Sequence, residues 1–196
     1  MNAPKGLQTA LYVVVALGIA AGGLALWGKQ RLDDRKMIST MANGINIYTS
    51  ISSNESSDHR TFALPQTTSG TTFATSTDYL RGLVASGYMN VEFGFFSAPG
   101  IMPPDGIAPE QFIGDFNAWC VVADITPGSA DAAPVLFTRN LMLAALDERP
   151  RLSDAPPFGK RGAIVIQKDA KGRILKEDEI EGYFSALGMN NQVLRP

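Results

Sequence analysis

The 196-residue chain sets 17 Lys and Arg against 19 Asp and Glu, a net charge of −2, and 45 % of its residues are hydrophobic. That balance leaves no basic surplus to hold nucleic acid. A single cysteine, Cys120, excludes an internal disulfide and a cysteine-rich zinc site. Its neighbours in NAWCVVADI are apolar, so a buried structural thiol is expected there rather than a nucleophile.

From Leu7 to Trp27 the chain runs 21 residues without a formal charge. As a helix this stretch measures roughly 32 Å, enough to cross a hydrocarbon core of ~30 Å. A secretory signal has an apolar region of only ~7–15 residues, followed by a small-x-small cleavage site. Here the run ends in Trp27 and then the charged GKQRLDDRK, so the expectation is a retained single-pass transmembrane helix over 7–27. Residues 1–6 then form a short leader or cytoplasmic stub. Tyr12 and Trp27 suit the two interfaces, where an amphipathic ring keeps one wet edge. Gly18 and Gly22 make a GxxxG pattern followed by Gly23. Small residues four apart leave a groove in which a second helix packs closely, and Leu11 and Val15 are further helix-packing positions. The plainer reading is that glycine is simply common in membrane helices.

Beyond Trp27, apolar residues at Leu32, Met37 or Ile38, Met41, Ile45 and Tyr48 keep close to the 3.6-residue period of an amphipathic helix. No proline falls between Pro4 and Pro65. One helix from about Leu7 to Ile51 would be roughly 67 Å long, its part over 28–51 continuing the membrane span and laid on a globular head of residues 52–196. Gly28 and Gly44 are its weak points, each costing roughly 1 kcal/mol against alanine. Removing the anchor leaves about 145–160 residues, one ordinary domain.

SSNESSDHR (Ser52–Arg60) and QTTSGTTFATS (Gln66–Ser76) break all periodicity and read as surface loops. STDYLRGLVASG predicts a short helix with Ser76 or Thr77 as N-cap and Gly87 as its stop. Strands are expected in Met89–Phe96, Phe116–Ile125, Pro134–Leu141, Gly162–Lys168 and Gly172–Lys176, the last two paired across the turn Asp169–Gly172. EDEIEGYFSALG closes the chain as a helix, acidic in its first turn as the helix dipole prefers. The order of elements is α+β with an antiparallel sheet.

No catalytic constellation emerges. The single histidine, His59, lies in a Ser-rich loop and reads as solvated. No G-x-S-x-G elbow, Walker loop or dinucleotide fingerprint occurs. Glu177, Asp178, Glu179 and Glu181 lack the alternating spacing of a calcium loop and read as a solvated helix face. The expectation is a chain that is not an enzyme, with no cofactor, no metal and no small-molecule substrate.

A transmembrane N-terminus running into an amphipathic helix and then a small antiparallel sheet resembles a type IV pilin or a type II secretion pseudopilin. Three segments sharpen the likeness: Ser76–Gly100, Phe116–Leu141 and Pro156–Ile174 resemble the larger pseudopilin-like proteins. Lys5-Gly6 before Leu7 is similar to the basic-Gly site cut by a prepilin peptidase, which implies cleavage between Gly6 and Leu7. The family's pattern places Phe at Leu7 and a glutamate at Leu11, whose carboxylate pairs with a neighbour's amine. Leu11 cannot make that pair, so the subunit is either uncleaved or packs by GxxxG and apolar contact. Lys29, Arg31, Arg35 and Lys36 outnumber Lys5 and would hold the head in the cytoplasm, whereas the resemblance implies an inner-membrane subunit with its head exported. The partners implied are the membrane and pilin-like subunits in a homo- or hetero-oligomer. The alternative is a solitary membrane-tethered extracytoplasmic binding module.

Overall fold

The computed structural model describes residues 31–52, 65 and 73–196. The chain divides into two compact units, Met1–Ile38 and Ser39–Pro196. In the first, residues 31–38 are helical and Leu32 and Ile38 are both more than half exposed. The transmembrane span expected over 7–27 and the 28–30 part of its continuation lie outside the described residues, as do His59 and most of the two polar loops. Among the described residues no helix is long and apolar enough to cross a membrane.

The second unit is α+β. It begins with helical residues 39–52, which belong to the helix labelled α1 (31–52). Then come α2 (Ser76–Ala85), β1 (Trp119–Val122), β2 (Pro134–Thr138), β3 (Leu141–Met142), β4 (Arg151–Leu152), β5 (Ala163–Gln167), β6 (Gly172–Leu175), α3 (Glu177–Ser185) and β7 (Val193–Leu194). Five strands form an antiparallel sheet in the order β6-β5-β2-β1-β7, and β3 and β4 pair separately.

Successive side chains of a strand point to opposite faces, so the register sorts the core. Trp119 lies opposite Thr138, Val121 opposite Leu136, and Leu136 opposite Ile166, all on one face. Cys120 and Phe137 share the other. Helix α1 covers the first face and α3 the second, where Phe184 meets Phe137 edge-on with ring centroids 6.3 Å apart. With both faces covered, WCVV and AIVIQ are buried at every position. That is why these strands read as unbroken apolar runs.

On α1 the buried stripe runs through Thr40, Gly44, Ile47, Tyr48 and Ile51, while Met41 and Ile45 are half-buried. Of the face expected from Leu32, Met37 or Ile38, Met41, Ile45 and Tyr48, Met37 and Tyr48 are buried, while Leu32 and Ile38 are exposed and Met41 and Ile45 sit at the margin. The reason is Trp119: a Cβ on Gly44 would fall within its indole and 2.9 Å from Ile166 Cγ1, so only glycine lets the helix seat there. Met41 and Ile45 instead lean over the sheet edge, where Gly172 leaves room for them. Two hydrogen bonds fix the seat, from Tyr48 Oη to the Lys168 carbonyl at 2.7 Å and from Tyr88 Oη to the Ile51 carbonyl at 2.8 Å.

The hairpin of β5 and β6 forms as expected. Ala170 takes the left-handed turn position at φ 60, and Gln167 N–H donates to the Lys171 carbonyl at 2.8 Å. Other expectations are corrected. The N-cap of α2 is Thr75, whose hydroxyl accepts from Asp78 N–H at 3.0 Å. Ser76 is instead fully buried as a bolt between elements. Gly87 does stop the helix, with φ +72, the backbone that favours glycine. Met89–Phe96 is not a strand. Its aromatic end Phe93–Phe96 coils into a 3-10 turn, and Phe93 stacks on Phe112 with centroids 4.5 Å apart. The chain also does not finish on α3, since β7 follows it and pairs with β1 at the sheet's edge.

Candidate functional site

The residues singled out in the sequence for assembly, Gly6, Leu7, Leu11, Val15, Gly18, Gly22 and Gly23, all lie outside the described residues. What can be built from described side chains is a head tied by a buried polar network and carrying surface grooves, two of which are described below.

The network begins at a buried polar knot. Asn117 Nδ2 donates to Ser76 Oγ at 3.0 Å and Thr77 Oγ1 at 3.2 Å, and Asn117 Oδ1 accepts from Trp119 N–H at 2.9 Å. Ser76 Oγ donates to the Trp119 carbonyl at 2.8 Å, and Ser76 N–H donates to the Arg195 carbonyl at 2.9 Å. Asn117 therefore ties the start of α2 to the entry of β1, and Ser76 carries the tie on to the segment after β7. Two guanidiniums continue the pattern. Arg139 Nη1 donates to the Gly114 carbonyl at 2.7 Å, and Arg195 donates to the Leu141 and Arg139 carbonyls at 3.1 and 3.0 Å. Between them they satisfy carbonyls of the segments flanking β1 and β2 and of β3 itself, Leu141.

Cys120 is fully buried beside this frame. Burial pushes its thiol up to about 12, against a weaker downward pull from Arg195 and Arg139, so its thiolate is not formed near neutral pH. Burial likewise raises Tyr79 well above the usual phenol range. Among the described residues no group of three His, Cys, Asp or Glu side chains stands close enough to hold a metal ion. The acidic start of α3 has a structural use: Glu179 accepts from Lys176 N–H at 2.9 Å, closing the helix's first turn.

The larger groove, about 660 Å³, lies between the β3–β4 pair and α3. Leu143, Leu152 and Ile180 line it under a rim of Arg149, Arg151 and Glu181. Arg149 and Glu181 stand 3.4 Å apart, both largely exposed, a pair of little energetic weight. The smaller groove, about 260 Å³, lies between the end of α2 and the Pro/Gly-rich connection that follows. Phe93, stacked on Phe112, forms part of its lining. Signals for the knot and for the seat of α1 were present, in Asn117 beside an apolar run and in Gly44 amid apolar helix positions. Neither carries a signature that names its partner.

Comparison of the chain with protein-family models, with curated proteins and with solved structures gives no match.

Proposed function

We propose that this chain is a non-enzymatic structural subunit of a pilus-like or type II secretion pseudopilus-like membrane assembly. The N-terminal apolar stretch anchors it in the inner membrane and then packs among sister helices, while the head faces the extracytoplasmic side. The reading rests on one observation above all: a helix reached from a 21-residue uncharged run lies by its glycine-notched stripe on a five-stranded antiparallel sheet. That arrangement commits one face of α1 to the head. On the stretch nearest the apolar run, Leu32 and Ile38 are each more than half exposed, single apolar side chains that neighbouring helices could take up. Exchange of lipid for helix around the apolar run replaces one apolar environment by another, so leaving the bilayer costs little hydrophobic free energy.

Electron microscopy of the native membrane fraction, with the chain labelled, tests the reading. The expected result is a helical array containing it. An arginine at Gly22 or Val15 abolishes incorporation while leaving the head folded, and normal recovery of assemblies from either variant would overturn the proposal. Intact mass of the extracted protein reports on the Gly6–Leu7 bond, with a mass lacking residues 1–6 expected if a prepilin peptidase acts. The rival, a solitary tethered binding module, draws on the grooves of the head. It requires a monomer in detergent and free exchange of the anchor for any apolar helix of equal length.

A further inference from the structure

Between Arg81 and Arg139 the chain contains no Lys, Arg or His, and it carries six carboxylates. The fold gathers part of this stretch around the smaller groove. Val84, Val91, Phe93 and Ile107 supply apolar wall, and Glu92 and Asp105 are exposed on its lining. Glu110, also exposed, follows the lining residue Pro109, and Met102, 74 % exposed, precedes the lining residue Pro103. Among the described residues none of Glu92, Asp105 and Glu110 has a cationic partner within 4.0 Å. The two flanking guanidiniums are committed elsewhere. Arg81 donates to the Phe112 carbonyl at 2.8 Å and stands 3.5 Å from Asp78, and Arg139 holds the Gly114 and Asn117 carbonyls.

We propose that this groove binds a polypeptide segment of a partner protein in which an aliphatic side chain is flanked by Lys or Arg. The apolar wall and the protruding Met102 take the aliphatic group, and Glu92, Asp105 and Glu110 take the cations around it, an apolar centre with a polar rim. Phe93 is held by its stack on Phe112, so the floor is formed before the partner arrives and little ordering entropy is lost on binding. An anionic bilayer surface or a nucleic acid attracts basic groups and is repelled by this rim. The larger groove mixes both signs on its rim and selects no such partner. This inference goes beyond the filament reading and does not need it, since a tethered module and a filament subunit would present the same groove.

The test uses the full chain in a neutral detergent and a fluorescent 12-residue peptide of alternating Lys and Leu, followed by polarisation. Two control peptides replace every Lys by Glu or every Leu by Ser. Saturable binding of the Lys/Leu peptide is expected, with both controls weaker by at least about tenfold. The double variant Glu92→Gln/Asp105→Asn loses about tenfold and flattens the salt dependence, because long-range attraction is what salt screens. Met102→Ser loses affinity with the salt dependence unchanged, and Asp131→Asn, away from the groove, changes neither. Equal binding of the three peptides, or full binding by the double variant, overturns the proposal. If the peptide fails to bind while sedimentation shows self-association that Met102→Ser abolishes, the occupant is a second copy of this chain and the proposal is likewise overturned. Filament incorporation of the double variant, read separately, keeps this outcome distinct from that of the assembly reading.

Discussion

The two faces of the five-stranded sheet are closed by opposite means. Towards α1, closure depends on side chains that are missing: Gly44 admits the indole of Trp119, and Gly172 admits Met41. Towards α3, closure depends on side chains that are present, with Phe184 set edge-on against Phe137 and Tyr183 against Phe184 at 5.0 Å. The first face fixes where a helix lies and at what depth, and at Gly44 it leaves no room for an added atom. The second is an aromatic fill of ordinary kind, in which a lost ring leaves a hole but moves no element. A head that must hold its helix in one position needs the first kind of contact, because only steric exclusion sets a position.

The largest expected effect comes from removing the body that the first face is built around. Trp119→Ala should destabilise the head by about 3–5 kcal/mol, measured by guanidinium denaturation of the detergent-solubilised chain with far-ultraviolet circular dichroism. Phe184→Ala on the second face falls in the same range, so large-to-small changes alone do not separate the faces. Added atoms do. Gly44→Ala should cost about 1–3 kcal/mol from overpacking, against about 1 kcal/mol gained in helix propensity. Its cost should shrink when combined with Trp119→Phe, and strict additivity of the two would break the comparison. Gly172→Ala should cost less than Gly44→Ala, because the atoms it meets belong to the flexible Met41 side chain rather than to a rigid ring.

Alkali tests the second face through Cys120. Its thiol is raised from an ordinary 9.0 to about 12, so above pH 9 the unfolded chain loses a proton that the folded chain keeps. The stabilisation is complete below pH 9 and falls by about 1.4 kcal/mol per pH unit until the folded thiol itself ionises near 12. Tyr79, raised for the same reason, adds loss in the same direction above its usual 10. Cys120→Ala should remove the part of the slope that begins at pH 9, and an unchanged slope in that variant would place the effect elsewhere. The smallest change lies outside both faces. Ala170 holds a left-handed turn at φ 60, so Ala170→Gly should raise stability by up to about 1 kcal/mol.

What could be read from the sequence follows from how local each signal is. The β5–β6 hairpin was legible because its strands and turn are contiguous, and α3 because its acidic first turn and apolar spacing fall within a dozen residues. The α+β class and the antiparallel sheet followed from these. Met89–Phe96 misled because its aromatic residues answer to Phe112, many positions away, and that stack favours a coil. The stripe of α1 was legible in part, at Met37 and Tyr48, but its centre is a glycine, whose importance appears only when Trp119 is placed above it. Strand β7 went unseen since two residues carry no period. The smaller groove shows the same limit: its acidic bias is plain in the sequence, but its apolar wall is assembled from α2 and a connection across more than twenty positions.

One consequence of β7 concerns the order of events during synthesis. Strand β1 begins at Trp119, yet the strand that covers its outer edge is not made until Val193. Every ribosome therefore exposes an unpaired, apolar edge for the time needed to translate some seventy residues, at about 5–20 residues per second. A bare edge of this kind invites pairing with another chain. A nascent chain of this design gains from a chaperone, or from slow release, until β7 arrives, and a stop codon placed just before Val193 should send the product to aggregates even though α1, α2 and four of the sheet's five strands are intact.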